Sequence, residues 1–154
     1  MKIKGLAFLV LFLFIITACK KPKGENSKIL TESYGQKLQE HPGKKLMETY
    51  CYLCHDATKS EEERLAPPMI AIKKRYIFEG TSKEEFINDM QRWIKNPNEK
   101  DAKMFGAVRR FGVMQKLPYP EEDIRQIADY MFDYDIEQPE WFEEHFNQMR
   151  GKNK

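Results

Sequence analysis

Cys51-Tyr-Leu-Cys54-His55 places two thiols three positions apart and an imidazole directly after the second. On a helical turn, residues i and i+3 face the same way, so both sulfurs can reach one flat ligand. This spacing is the pattern of c-type haem attachment, with two thioether bonds and the adjacent histidine as an axial iron ligand. Two other chemistries share part of it. A zinc site needs a second close pair of Cys or His ligands, and the chain contains none. A thioredoxin-type redox pair needs a βαβ context, which this chain lacks.

The third cysteine sits elsewhere and suggests another role. Lys2 and Lys4 precede an apolar run from Leu6 to Ile16, and Ile16-Thr17-Ala18 supplies small residues before Cys19. Residues 1–18 therefore read as an export signal, too short for a comfortable membrane span. Ile-Thr-Ala-Cys resembles a bacterial lipobox, which implies that Cys19 becomes the lipidated first residue of the mature chain. Acyl chains would hold it stably, since each buried methylene contributes ~0.8 kcal/mol. With Cys19 lipidated and Cys51 and Cys54 bonded to haem, no thiol remains for a disulfide.

The elements around the motif are helical in texture. Residues 19–40 read as a polar, flexible tether. Residues 41–135 read as a domain of short amphipathic helices, and 136–154 as a helical extension. Leu46, Tyr50 and Cys54 share one face of a predicted helix from Gly43 to His55. Pro68 is placed to open a second helix, running to Tyr76–Phe78. Ser82 and Glu85 form a capping box before the stripe Phe86, Ile87, Met90, Trp93 and Ile94. Asn96 is expected to cap a short turn with Glu99. Residues 103–118 read as irregular, with glycines at 106 and 112. Glu121, Glu122 and Asp123 then open a helix with Ile124, Ile127, Ala128 and Met131 on its core face. Trp141, Phe142 and Phe146 are expected to pack a last helix, Pro139 to about Met149, back on the domain. Sustained strand alternation is absent, so the expected fold class is all-α.

Charge excludes one class of partner. The chain has 26 basic and 24 acidic residues, and loss of Lys2 and Lys4 brings the two signs into balance, so nucleic acid is not suggested. Lys73, Lys74, Arg75, Arg109 and Arg110 lie mid-chain, and the acidic residues from Glu121 to Asp135 come after them; both groups read first as solvated faces.

From about Gly43 to Asp135, the order of helix, CxxCH, proline loop, middle helices, methionine loop and last helix resembles a class I cytochrome c, in a lipoprotein form. The resemblance implies a fold of short helices around one covalently bound haem c. His55 matches the proximal ligand. Ala66-Pro67-Pro68-Met69 is similar to the family's Gly-Pro-x-Leu loop, with alanine in place of glycine. This implies that the Pro67 carbonyl accepts the proton on the other ring nitrogen of His55. Met114, in Gly112-Val-Met-Gln-Lys-Leu-Pro118, is the first choice of distal ligand and Met104 the second. Met69, Met90 and Met131 read as core filler, and His41 and His145 as capping or surface residues. Trp93 resembles the aromatic bordering the haem.

The same resemblance implies an electron carrier, not an enzyme, with no small-molecule substrate. It would work between redox proteins or with a membrane respiratory complex, on the periplasmic side of a bacterial membrane. Two other roles stay open: a cytochrome subunit of a larger oxidoreductase, or a haem sensor with an open or labile sixth position.

Overall fold

The computed structural model describes residues 41–151, which belong to one compact unit. The signal segment 1–18, Cys19 and the tether 19–40 lie outside the described residues. Six α-helices and no strand occur among the described residues: α1 (Pro42–Tyr50), α2 (Met69–Tyr76), α3 (Lys83–Lys95), α4 (Phe105–Phe111), α5 (Glu121–Asp133) and α6 (Phe142–Gly151). The described part is all-α.

α5 is the central strut, packed against both α1 and α3. It starts after Pro120 with three carboxylates in its first turn, where they complement the exposed amide groups. Its inner stripe of Ile124, Ile127, Ala128 and Met131 is buried. α3 starts with the reciprocal cap read from the sequence. The Ser82 hydroxyl accepts from the Glu85 amide at 3.2 Å, and the Glu85 carboxylate accepts from the Ser82 amide at 2.8 Å. Such a cap is worth ~1 kcal/mol. Its buried face is Phe86, Ile87 and Met90, and it stops at Asn96, since the residue before Pro97 is steered out of helical geometry.

α1 crosses α5 closely enough that only glycine fits at the contact. A Cβ on Gly43 would meet the Gln126 carbonyl oxygen at 2.0 Å and the Tyr130 Cβ at 2.8 Å. His41 caps this helix, accepting from the Gly43 amide at 3.1 Å, and its other ring nitrogen meets Asp129 at 3.1 Å. The core then closes around Met47, Phe86, Ile87, Ile127 and Met131, all but fully buried. Each such side chain contributes ~1.5–3 kcal/mol relative to exposure.

Four local expectations are revised. α1 ends at Tyr50, short of the expected His55, because the Met47 carbonyl accepts from both Cys51 (2.8 Å) and Tyr52 (3.2 Å), which widens the last turn. The residues up to 118, expected to be irregular, include α4, which buries no residue and has no side-chain cap, so neither helix signal was present to be read. After Asn96 the turn is organised by Asn98 and Asp101 rather than by Asn96 and Glu99. The last helix begins at Phe142, three residues after Pro139, and Phe142 is buried in the core.

Candidate functional site

Past the end of α1 the chain keeps turning. The Cys51 carbonyl accepts from the Cys54 amide at 3.2 Å and from the His55 amide at 2.8 Å. That turn brings Cys51, Cys54 and His55 to the wall of one cleft, with an empty volume of about 1380 Å³ including its open mouth. The opposite lining comes from α2 (Ile72, Tyr76), α3 (Met90, Trp93, Ile94), α5 (Ile124, Ile127) and the residues around α4. Every site residue expected within the domain is there: Cys51, Cys54, His55, Pro67, Trp93, Met104 and Met114 all line it. Cys19 lies outside the described residues.

The decisive contact is between His55 and Pro67. Nδ1 of the ring stands 2.6 Å from the Pro67 carbonyl oxygen. A carbonyl can only accept, so Nδ1 carries the proton and, in the neutral ring, Nε2 keeps its lone pair. Burial pushes the imidazole below its ordinary pKa, against the opposing pull of the Pro67 bond. His55 is thereby held as one tautomer of a neutral base, the form that binds a metal.

The thiols differ in setting. Burial pushes Cys51 up to about 12, while Cys54 is exposed. Burial therefore disfavours the thiolate form of Cys51. A neutral thioether, in contrast, loses nothing by burial. Among the described residues no group of three or more Cys, His, Asp and Glu side chains converges as a metal cage. Compared with protein-family models, with curated proteins and with solved structures, the chain matches none.

The cleft itself is apolar but not closed. Leu65 and Leu117 line it and remain 70% and 43% exposed. Large aliphatic side chains left open on a cavity wall mark a surface shaped for an apolar occupant. Beside it lies a smaller polar pocket that shares Tyr76, Trp93 and Lys103 with the cleft and adds Arg92, Asn96, Asp89 and Asp101. Lys103 lies over the Tyr76 ring at 4.9 Å and pairs with Asp89. An apolar slot with two thiols at haem-attachment spacing and an oriented imidazole on its wall suits a flat hydrophobic ligand held covalently, while Arg92 and Lys103 at its margin are already paired with Asp89. The residues therefore fit a haem.

Both candidate sulfur ligands are available. Met104 stands at the N-cap of α4 and packs partly against the core. Met114 comes two residues after Gly112, whose φ of 80° with ψ of 179° turns the chain sharply away from the end of α4. Only glycine adopts that backbone without strain. Met69, Met90 and Met131 are buried in the core, and the first two also border the cleft. His41 and His145 do not line it; they bond Asp129 and Glu61.

Sequence reasoning missed Tyr119, which also lines the cleft. Its hydroxyl donates to the Tyr50 carbonyl at 3.2 Å and its ring lies 5.0 Å from that of Tyr50, so it ties the α1 terminus to the segment before α5. An aromatic between Pro118 and Pro120, in the same segment as Met114, was the signal that could have found it.

Proposed function

We propose that this chain is a monohaem c-type cytochrome that carries single electrons. Cys51 and Cys54 would hold haem c through two thioether bonds, with His55 as proximal and Met114 as distal axial ligand. The observation that carries this reading is the His55–Pro67 contact. It presents a neutral imidazole with its free nitrogen available, in the same cleft as two thiols at haem-attachment spacing.

When bound, the group supplies an iron that cycles between ferric and ferrous states. The protein's part is positional. Pro67 fixes the orientation and basicity of His55. The apolar lining, with Trp93, Ile72 and Ile127, would keep water from most of a bound haem and so disfavour the net positive charge of the ferric state. A thioether such as Met114 is a soft, neutral donor that favours the reduced state and raises the potential. With His55 and Met114 both holding the iron, no open position would remain for a substrate, and the chain would act as a carrier rather than a catalyst. The lipidated Cys19 would keep it on the periplasmic side of a bacterial membrane, within reach of redox proteins or a respiratory complex.

Met104 in the same cleft supports a second arrangement in which it, rather than Met114, takes the sixth position. The test is the ferric spectrum of protein matured with a bacterial haem-attachment system. A sulfur-to-iron charge-transfer band that disappears in Met114→Ala and persists in Met104→Ala is the expected result. Loss in the opposite variant transfers the role to Met104. A high-spin wild-type spectrum with rapid CO binding after reduction refutes the carrier reading.

A further inference from the structure

The loop that joins His55 to Pro67 has no helix or strand to hold it, yet its carbonyl at Pro67 must stay on His55. The C-terminal extension reaches this loop directly. The Trp141 indole N–H donates to the Lys59 carbonyl at 2.9 Å. The Arg64 guanidinium lies between two rings, 4.6 Å from the Trp141 centroid and 5.4 Å from that of Phe111, with its side chain only 9% exposed. Arg64 also donates to the Glu61 carboxylate at 3.1 Å and to the Glu61 carbonyl at 2.9 Å. Glu61 is then shared. Its carboxylate meets His145 at 3.2 Å and Arg110 at 3.5 Å, and Arg110 donates to its carbonyl at 2.7 Å.

These contacts join three stretches far apart in sequence. One is the loop that carries the Pro67 carbonyl. The second is the end of α4, where Phe111 lines the cleft three residues before Met114. The third is the start of α6. A cation sandwiched between aromatic faces and bonded to a carboxylate is directional, and each partner removed loosens the other two.

We propose that Trp141, Arg64 and Glu61 form a clamp by which the C-terminal extension sets the position of both segments that carry axial-ligand contacts, Pro67 behind His55 and the Met114 arm. Trp141 and Arg64 are positioning residues: they act through the loop and α4. This inference rests on the haem reading of the cleft. The clamp makes the extension a determinant of how firmly the sixth ligand is held.

The test uses full-length holo-protein and the affinity of the ferric form for added imidazole, which competes with Met114. Trp141→Ala is expected to tighten imidazole binding about tenfold, the value of a partly desolvated cation–π contact of ~1.4 kcal/mol. Trp141→Phe, which keeps a ring over Arg64, should restore most of the difference. Phe142→Ala removes a buried core ring of the same extension; it should lower the thermal midpoint and leave imidazole affinity within about twofold of wild type. If Trp141→Ala does not accumulate, Arg64→Met carries the same expectation. The clamp is overturned if imidazole affinity is unchanged in Trp141→Ala or Arg64→Met, or if Phe142→Ala shifts it equally. Should the wild type lack a sulfur ligand, the six-coordinate carrier reading has failed separately, and hydrogen exchange decides the clamp. Faster exchange over residues 56–67 and 105–114 in Trp141→Ala than in Phe142→Ala supports it, and equal rates refute it.

Discussion

Gly43→Ala changes one hydrogen to a methyl and should be among the most damaging single substitutions in this domain. Gly43 lies in the first turn of α1, buried at the crossing with α5. The new Cβ would stand 2.0 Å from the Gln126 carbonyl oxygen and 2.7 Å from its carbon. Both atoms are backbone in the middle of α5, so no side chain can swing away. Relief requires the two helices to separate until the nearest contact reaches the 3.4 Å of ordinary packing. Overpacking of this kind costs about 1–3 kcal/mol, and a clash against backbone belongs at or above the upper end. The helix preference of alanine over glycine offsets ~1 kcal/mol at most. A net loss of about 2 kcal/mol corresponds to a fall in Tm of ~8–12 °C for a unit of this size. The damage should reach the site, because α1 leads into Cys51 while Ile124 and Ile127 of α5 form the facing wall of the cleft. Thermal denaturation followed by helical circular dichroism, with haem content per chain measured alongside, is the assay. An unchanged or raised Tm would show that the α1–α5 approach is not as close as described.

Lys83 lies 2.6 Å from Asp129 and 2.7 Å from Asp133, and His41 adds a contact to Asp129 at 3.1 Å. Burial alone would push the Asp129 carboxyl up, but its bonds to Lys83 and His41 outweigh that and hold it below the ordinary carboxylate range. A carboxyl with a depressed folded-state pKa stabilises above its unfolded value, and the contribution is lost as pH falls through the folded value. Lys83→Ala should therefore lower stability by about 0.5–1 kcal/mol near neutral pH, the discounted value of a half-exposed ion pair. The difference from wild type should shrink as denaturant titrations are repeated down through the carboxylate range; a constant difference would argue against the pair. Cys19→Ser should release the protein from membranes on fractionation and leave haem content unchanged, and retention on the membrane would remove the lipid anchor.

Local signals were legible where they acted over a few residues. Ser82 and Glu85 are three apart and define the start of α3; the acidic trio at 121–123 does the same for α5. The inner stripe of α5 comes from apolar spacing alone. The grouping of Cys51, Cys54 and His55 is likewise a matter of one turn. The placement of Pro67, Trp93 and Met114 came instead from resemblance to a family pattern, and the cleft gathers them from separate elements. α4 was illegible because nothing about it is local: no cap, no buried face, a glycine in its second position. Its side chains are ordered by contacts such as that of Arg110 with Glu61, 49 residues away. The end of α1 at Tyr50 escaped for a related reason, since one carbonyl taking two donors leaves no mark on residue type.

The cluster around Arg64 ties the C-terminal extension to the loop before Pro67 and to α4. A charged side chain withdrawn from water costs more than its neighbours return unless it is paired and stacked. Burial pushes the Arg64 guanidinium down, and Arg110 adds to this, against Glu61 and Glu62. Arginine nevertheless stays charged in proteins. The domain therefore tolerates an unfavourable burial at the junction of the His55–Pro67 loop, α4 and the last helix, where an aliphatic residue would fill the same space at less cost. An aliphatic residue, however, would fix no direction. Stacked between Trp141 and Phe111 and bonded to Glu61, Arg64 sets the angle at which three segments meet. Two of those segments lead directly to the carbonyl on His55 and to Met114. On the haem reading, a site that holds one iron geometry in two oxidation states would gain from that rigidity, because any change of ligand distance on electron transfer adds to the barrier. On that same reading, the start of α6 would serve electron transfer from outside the cleft, by fixing the segments that line it.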